Sequence, residues 1–249
     1  MRVISLTVWG DLAHFRKHFA TTSPMTYAFP PPSAIRGLIG AILGFNKNEY
    51  TEKLHYSNTF IGVRILSKIK KIRLGINLLN SKGGSWIKVF MKPAADTHTQ
   101  ISIEFLKNPK FEIFFHHENQ EIMDTLHERL TKGETVFTPY LGISECLANI
   151  DINWDKDISN YVGKSRVISV IPANNIQEFL ADNLRDIQVF KETVPVFINS
   201  DRIREHSATV IFPTENVPLP VIASETFLYP NPNEFLEQQK LPETFCFIK

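Results

Sequence analysis

The chain has 249 residues, of which 43% are hydrophobic and 21% charged, with a net charge of +1. This composition supports a packed core. The only two cysteines, Cys146 and Cys246, are too few and too far apart for a disulfide scaffold. No apolar run approaches the roughly 18 residues needed to cross a bilayer, and the opening Met-Arg-Val-Ile-Ser-Leu reads as a strand and not as a signal peptide, so we expect a soluble, cytoplasmic protein without a membrane partner.

The charge is unevenly distributed. Between Lys53 and Ala95 nine basic residues occur without one Asp or Glu, which leaves the rest of the chain net acidic. A near-neutral protein with one strongly positive stretch is expected to meet a polyanion on one face.

Residues 2–9 alternate, with Ile4, Leu6 and Val8 on one face, and predict a strand. A polar, basic segment follows and carries Arg16 and Lys17. Pro30, Pro31 and Pro32 then lead into a helix expected to start after Ser33 as its N-cap. Ile35, Leu38, Ile39, Ile42 and Leu43 form its apolar stripe, Ala34, Gly37, Ala41 and Gly44 a second row of small residues, and Gly44 suits its C-terminus. Such a row lets a helix approach its neighbours closely.

Residues 60–66 and 69–79 read as two strands joined at Ser67-Lys68. A glycine-containing basic segment, 80–93, follows. "THTQISIEFL" and "FEIFFHH" flank Lys107-Asn108-Pro109-Lys110 as a predicted β-hairpin. Residues 119–131 predict an amphipathic helix, and the alternation of Ala148, Ile150, Ile152 and Trp154 predicts a further strand. The order suggests an α+β, ferredoxin-like (RRM-related) βαββαβ domain over residues 1–155 with an inserted basic hairpin. Residues 156–249, with short apolar runs and several prolines, read as a β-rich C-terminal region.

Neither GxxxxGK[ST] nor GxGxxG occurs, which argues against nucleotide hydrolysis and Rossmann cofactors, and no cofactor is expected. His14 and His18 have the i, i+4 spacing of metal ligands but no nearby carboxylate or cysteine, so no metal is expected. His116 and His117 read as a strand-end pair, with general acid–base work in RNA cleavage, assisted by Tyr50, as the alternative. Trp86, between Lys82 and Lys88 beside Gly83 and Gly84, suits base stacking on a basic finger or anchoring of a hairpin to its own core. The proline-rigidified helix N-terminus favours an anion. Arg36 on its first turn, with Arg16, Lys17, Tyr27 and Ser33, makes it the expected RNA platform, joined by Lys68, Lys70, Lys71 and Arg73 of the basic stretch. The glycines inside the helix fit close packing better than phosphate binding.

The stretch "FRKHFATTSPMTYAFPPPSAIRGLIGAILG" resembles the N-terminal signature of the Cas-five family of CRISPR Cascade subunits, most like type I-B members, and "TPYLGISECLANI" resembles the family's second recurring segment. The resemblance covers at least residues 1–150. It implies the ferredoxin-like fold with a hairpin thumb, for which 80–93 is the candidate, and a subunit that caps the crRNA 5′ handle in antiviral defence. The implied partners are that RNA, the Cascade backbone subunit and the Cascade large subunit. Type I-C members cut precursor RNA without a metal, using a tyrosine–lysine–histidine site whose tyrosine ends the first helix in an alanine-isoleucine-tyrosine context. Ala41-Ile42-Leu43 stands there in this sequence, and leucine transfers no proton. The expectation is therefore a non-catalytic RNA-binding subunit, with a processing endoribonuclease and a purely protein-binding scaffold as alternatives. Charge reversal at Arg16 and Lys17 together should weaken handle binding in a gel shift, and unchanged binding would remove both from the site.

Overall fold

A computed structural model describes residues 1–20, 23–79, 98–180, 187–230 and 241–249. It is a mixed α and β structure, rich in strands. Its centre is a four-stranded antiparallel sheet of β1 (Arg2–Trp9), β3 (Thr59–Ile65), β6 (Lys110–His117) and β7 (Asn149–Asp157) in the order β3-β6-β1-β7. Both faces of β1 are covered. Ile4, Leu6 and Val8 join the core under the helices, while Val3 joins a phenylalanine cluster with Phe114, Phe227, Phe245 and Phe247.

Two helices pack against one another over that sheet, α1 (Pro32–Leu43) and α3 (Gln120–Lys132), and a short α2 (Glu49–Lys53) follows α1. The expected apolar stripe of α1 is wholly buried. Its start differs from the expectation: Pro31 is the N-cap and Pro32 the first helical residue, so Ser33 caps nothing. Pro32 fits there because the first helical N–H has no partner to lose. The Pro31 carbonyl accepts from Ala34 and Ile35. Two of the first three helical residues thus offer no free N–H, and the anion platform expected from the helix end has little to work with. Gly44 closes the helix in the left-handed conformation, φ 80°, as the sequence suggests.

The expected hairpin around Asn108-Pro109 does not form. Both edges of β6 are taken, by β1 and β3, so β5 (His98–Lys107) has no place beside it. Instead β5 pairs with β2 (Leu12–Ala13) and with β4 (Lys71–Leu79) in a second sheet. Asn108, with φ 48°, sits at the corner between the two sheets. Likewise β3 and β4 are consecutive but lie in different sheets. The β4–β5 ribbon runs from Lys71↔Leu106 to Leu79↔His98. The basic segment 80–93 lies outside the described residues.

The C-terminal region is rich in strands. It comprises β8 (Asn160–Val167), β9 (Ile171–Pro172), β10 (Ile176–Phe179), β11 (Val189–Ile198), β12 (Arg204–Pro213), β13 (Leu219–Leu228) and β14 (Glu243–Phe245), in two further sheets. It builds directly on the first sheet. Val170 N–H donates to Val63 O (2.7 Å) and Ile248 N–H to Ile61 O (2.8 Å), closing the outer edge of β3. Val194, Val196, Val210 and Phe212 belong to the same core cluster as Ile4 and Leu6.

Arg36 corrects a second expectation. Its side chain is 1% exposed and faces no solvent-borne phosphate. It lies on the flank of the buried stripe. Its Nε donates to Leu54 O (2.9 Å), Nη1 to Val196 O (2.5 Å) and Nη2 to Thr59 O (3.4 Å). Burial pushes its pKa down to about 10, and the Phe197 ring lies 5.8 Å from the guanidinium. Arg36→Met removes the guanidinium donors from three buried carbonyls and should cost about 3 kcal/mol in urea unfolding. Arg36→Lys should recover only part, because an ammonium cannot span the fork.

Candidate nucleic-acid interface

The loop before α1 folds back on itself. Tyr27 N–H donates to Phe15 O and Lys17 N–H to Met25 O, both at 2.8 Å, which sets Arg16 opposite Thr26. A second segment, 137–143, docks against both this loop and the helix: Phe137 N–H donates to Ala41 O (3.0 Å) and His14 N–H to Leu141 O (3.0 Å). Gly142 has φ 96°, and a Cβ there would lie 2.0 Å from His14 O. Only glycine lets the two segments touch. The two sequence stretches singled out by their resemblance, about 100 residues apart, are therefore in direct contact.

Between them is a cleft of about 520 Å³. Its floor is the face of α1 opposite the apolar stripe: Ser33, Ala34, Gly37 and Ala41. Phe15, Tyr27, Phe45, Tyr50, Phe137 and Tyr140 form its aromatic walls, and Pro195 and Ile198 of β11 close the far side. Phe137 and Tyr140 are 46% and 47% exposed. Arg16, Lys47 and Arg202 are exposed cations in the lining, which contains no Asp or Glu.

The expected binding residues fall into separate groups. Arg16, Tyr27 and Ser33 line the cleft. Tyr27 is nevertheless buried, its hydroxyl has no hydrogen-bond partner among the described residues, and burial with nearby Glu192 raises its pKa. Lys17 is ion-paired with Glu192, both side chains mostly buried, and lies over the Tyr27 ring. Its charge is thus already met within the protein. On the second sheet Lys71 pairs with Glu104 at 3.0 Å. Burial would raise the Glu104 carboxyl, but Lys71 outweighs it and holds the group below its ordinary value. Lys68 pairs with Glu215 at 2.8 Å, and Lys70 and Arg73 are exposed nearby. Lys82, Trp86 and Lys88 lie outside the described residues.

Lys47, Phe137, Tyr140 and Arg202 were not singled out from the sequence. Phe137 and Tyr140 belong to or border the quoted second segment, so their signal was present. Arg202 has no local signal, because it reaches the cleft only through the β11–β12 connection.

The histidines are engaged structurally. The buried His14 ring bonds Glu104 O through Nδ1 at 2.7 Å, and His18 meets Arg204. Among the described residues no cluster of side chains could hold a metal ion. His116 Nδ1 donates to Arg2 O (2.7 Å). His117 Nε2 donates to Lys53 O (2.9 Å) while its Nδ1 accepts from Asn119 N–H (2.9 Å), so both ring nitrogens are used. Tyr50 stands in the cleft wall, and among the described residues no hydrogen bond joins it to either histidine.

Burial lowers the pKa of His14 and His116 below the ordinary 6.5. Below that pH the unfolded chain takes up protons that the folded one refuses, so stability is complete above it and declines as pH falls. Urea midpoints should drop between pH 7.5 and 5.5, with a smaller drop in His116→Gln.

Comparison with known proteins adds the lineage. A chain of a "CRISPR RNA-guided surveillance complex" superposes with a TM-score of 0.54 at 14% identity, covering 88% of this chain and 91% of that one. A CRISPR protein from Archaeoglobus fulgidus superposes with a TM-score of 0.50 at 13% identity, covering 97% and 98%. At such identities the likeness is one of fold. No curated protein matches the chain in sequence. The sequence model of the family described as "CRISPR-associated protein (Cas_Cas5)" matches residues 3–217, a span that includes the floor, both docked segments and the far wall of the cleft. The chain therefore belongs to the CRISPR-associated Cas5 family.

Proposed function

We propose that this protein is a non-catalytic subunit of a type I CRISPR surveillance complex, most similar to type I-B members, and that it caps the 5′ handle of the crRNA in the cleft over α1. The observation that carries this reading is the cleft lining: six aromatic side chains and three exposed cations, with no acid. Cations attract phosphates, and aromatic faces take unstacked bases whatever their identity. Sequence-specific RNA recognition works on such splayed, single-stranded nucleotides.

The order β3-β6-β1-β7, with α1 following β1 and α3 following β6, is read here as the ferredoxin-like βαββαβ arrangement. The β4–β5 ribbon, whose strands are joined by residues 80–97, is read as the thumb. Its partners would be the Cascade backbone subunit and large subunit. The absence of catalysis is supported by Leu43 at the helix end, where a cleaving member would carry tyrosine, and by a His117 ring with both nitrogens on backbone groups.

Purified protein incubated with labelled repeat RNA in EDTA should leave the RNA intact on a denaturing gel and shift it on a native gel in a salt-sensitive manner. Arg16→Glu should weaken the shift and reduce the salt slope by about one. Cleavage that disappears in His117→Ala would overturn the non-catalytic reading. An unshifted RNA, both alone and in the assembled complex, would favour a protein-binding scaffold.

A further inference from the structure

Among the described residues only Asn108 and Arg202 combine a side chain with a left-handed backbone, at φ 48° and φ 66°. Asparagine tolerates that region, whereas an arginine is strained in it and glycine is the usual choice. Arg202 lies in the turn between β11 and β12, and the turn itself does not need an arginine. Its shape comes from Asn199 and the backbone. Arg202 N–H donates to Asn199 O (3.1 Å) and Asn199 N–H to Ile203 O (3.0 Å). The Asn199 side chain accepts from Ile203 N–H (2.9 Å) and donates to Glu205 (2.7 Å). The register shift around Val196 in the same hairpin also has its reason, since Val196 O is an acceptor of Arg36. The Arg202 side chain takes part in none of this. It is exposed, and among the described residues it makes no hydrogen bond, ion pair or ring contact. A glycine would close the same turn without strain.

Arg202 instead lines the cleft, on the side formed by Pro195 and Ile198, where no aromatic ring stands. The rings of the lining come from the loop before α1, from the α1–α2 region and from segment 137–143. A single strand that turns its bases to those rings presents its phosphates to the remaining side. There a guanidinium can hold two oxygens of one phosphate in its fork.

On the RNA-binding reading above, we propose that Arg202 is a phosphate clamp, which grips one backbone phosphate of the bound strand from the β11 side and so sets the edge along which the strand runs. The side chain at this place in the turn projects to the cleft, and the left-handed backbone is the cost of putting an arginine there. Backbone strain at a ligand contact, with nothing in the fold to demand it, is the signature of a residue selected for binding and not for stability.

The test uses the full-length protein with its repeat RNA, unmodified and in a series with one phosphate at a time replaced by an uncharged methylphosphonate. Arg202→Gly and Arg202→Asn relieve the backbone and should melt at or above the wild-type temperature. Both should bind the unmodified RNA about tenfold more weakly and lower the salt slope by about one. At one phosphate, neutralisation should weaken the wild type and leave both variants unaffected, because the two changes remove the same contact. Unchanged affinity in both variants, a lower melting temperature in both, or losses that add at every phosphate would each overturn this inference while leaving the RNA-binding reading standing. Failure of the wild-type protein to bind any of the RNAs, both alone and in the assembled complex, would overturn that reading, and this inference with it.

Discussion

A guanidinium that no carboxylate among the described residues pairs ties this structure together. Arg36 of α1 donates to Leu54 O just beyond α2, to Thr59 O at the start of β3 and to Val196 O in β11. Burying a cation is costly unless every donor finds an acceptor, and an arginine cannot escape by losing its proton. The three carbonyls must therefore come to the side chain, from points 18 to 160 residues away in the sequence. With Arg36 and the apolar stripe turned inward, the rotation of α1 is decided. The opposite face, with Ser33, Ala34, Gly37 and Ala41, is left to form the floor of the cleft. The same contact brings β11 against the helix, and β11 supplies the far wall.

The central sheet imposes the second constraint. Both faces of β1 and β6 are buried, one under the helices and the other under phenylalanines from the C-terminal strands, and the outer edge of β3 receives Val170 and Ile248. The last residues of the chain thus support the first. Strand β6, bonded on both edges, forces β5 out into the ribbon with β4.

Several of the protein's cations are met by its own carboxylates. Glu192, Glu104 and Glu215 pair with Lys17, Lys71 and Lys68, three of the cations expected to meet RNA. An exposed pair such as Lys68–Glu215 contributes little stability. Its effect is to remove a free positive charge. At the cleft, Arg16, Lys47 and Arg202 are exposed around aromatic walls in a lining that holds no Asp or Glu. A polyanion would be attracted to that rim even though the net charge of the whole chain is only +1.

Local periodicity alone determined the identity and faces of β1, α1, α3 and β7, because a buried stripe must repeat with the period of its element. The family resemblance marked the two segments that wall the cleft, and glycine's freedom at a helix C-terminus marked the left-handed close of α1 at Gly44. Pairing lay beyond it. Whether β5 bonds β6 or β4 depends on which edges are free once the sheet is assembled, and no window of sequence contains that information. Arg36 shows the same limit: next to a helix N-terminus an arginine reads as a phosphate ligand until the carbonyls of Leu54, Thr59 and Val196 surround it. The difference between Gly40, packed against Tyr50, and Gly37, which faces open space, likewise needed the tertiary structure, since both are the same letter in a sequence.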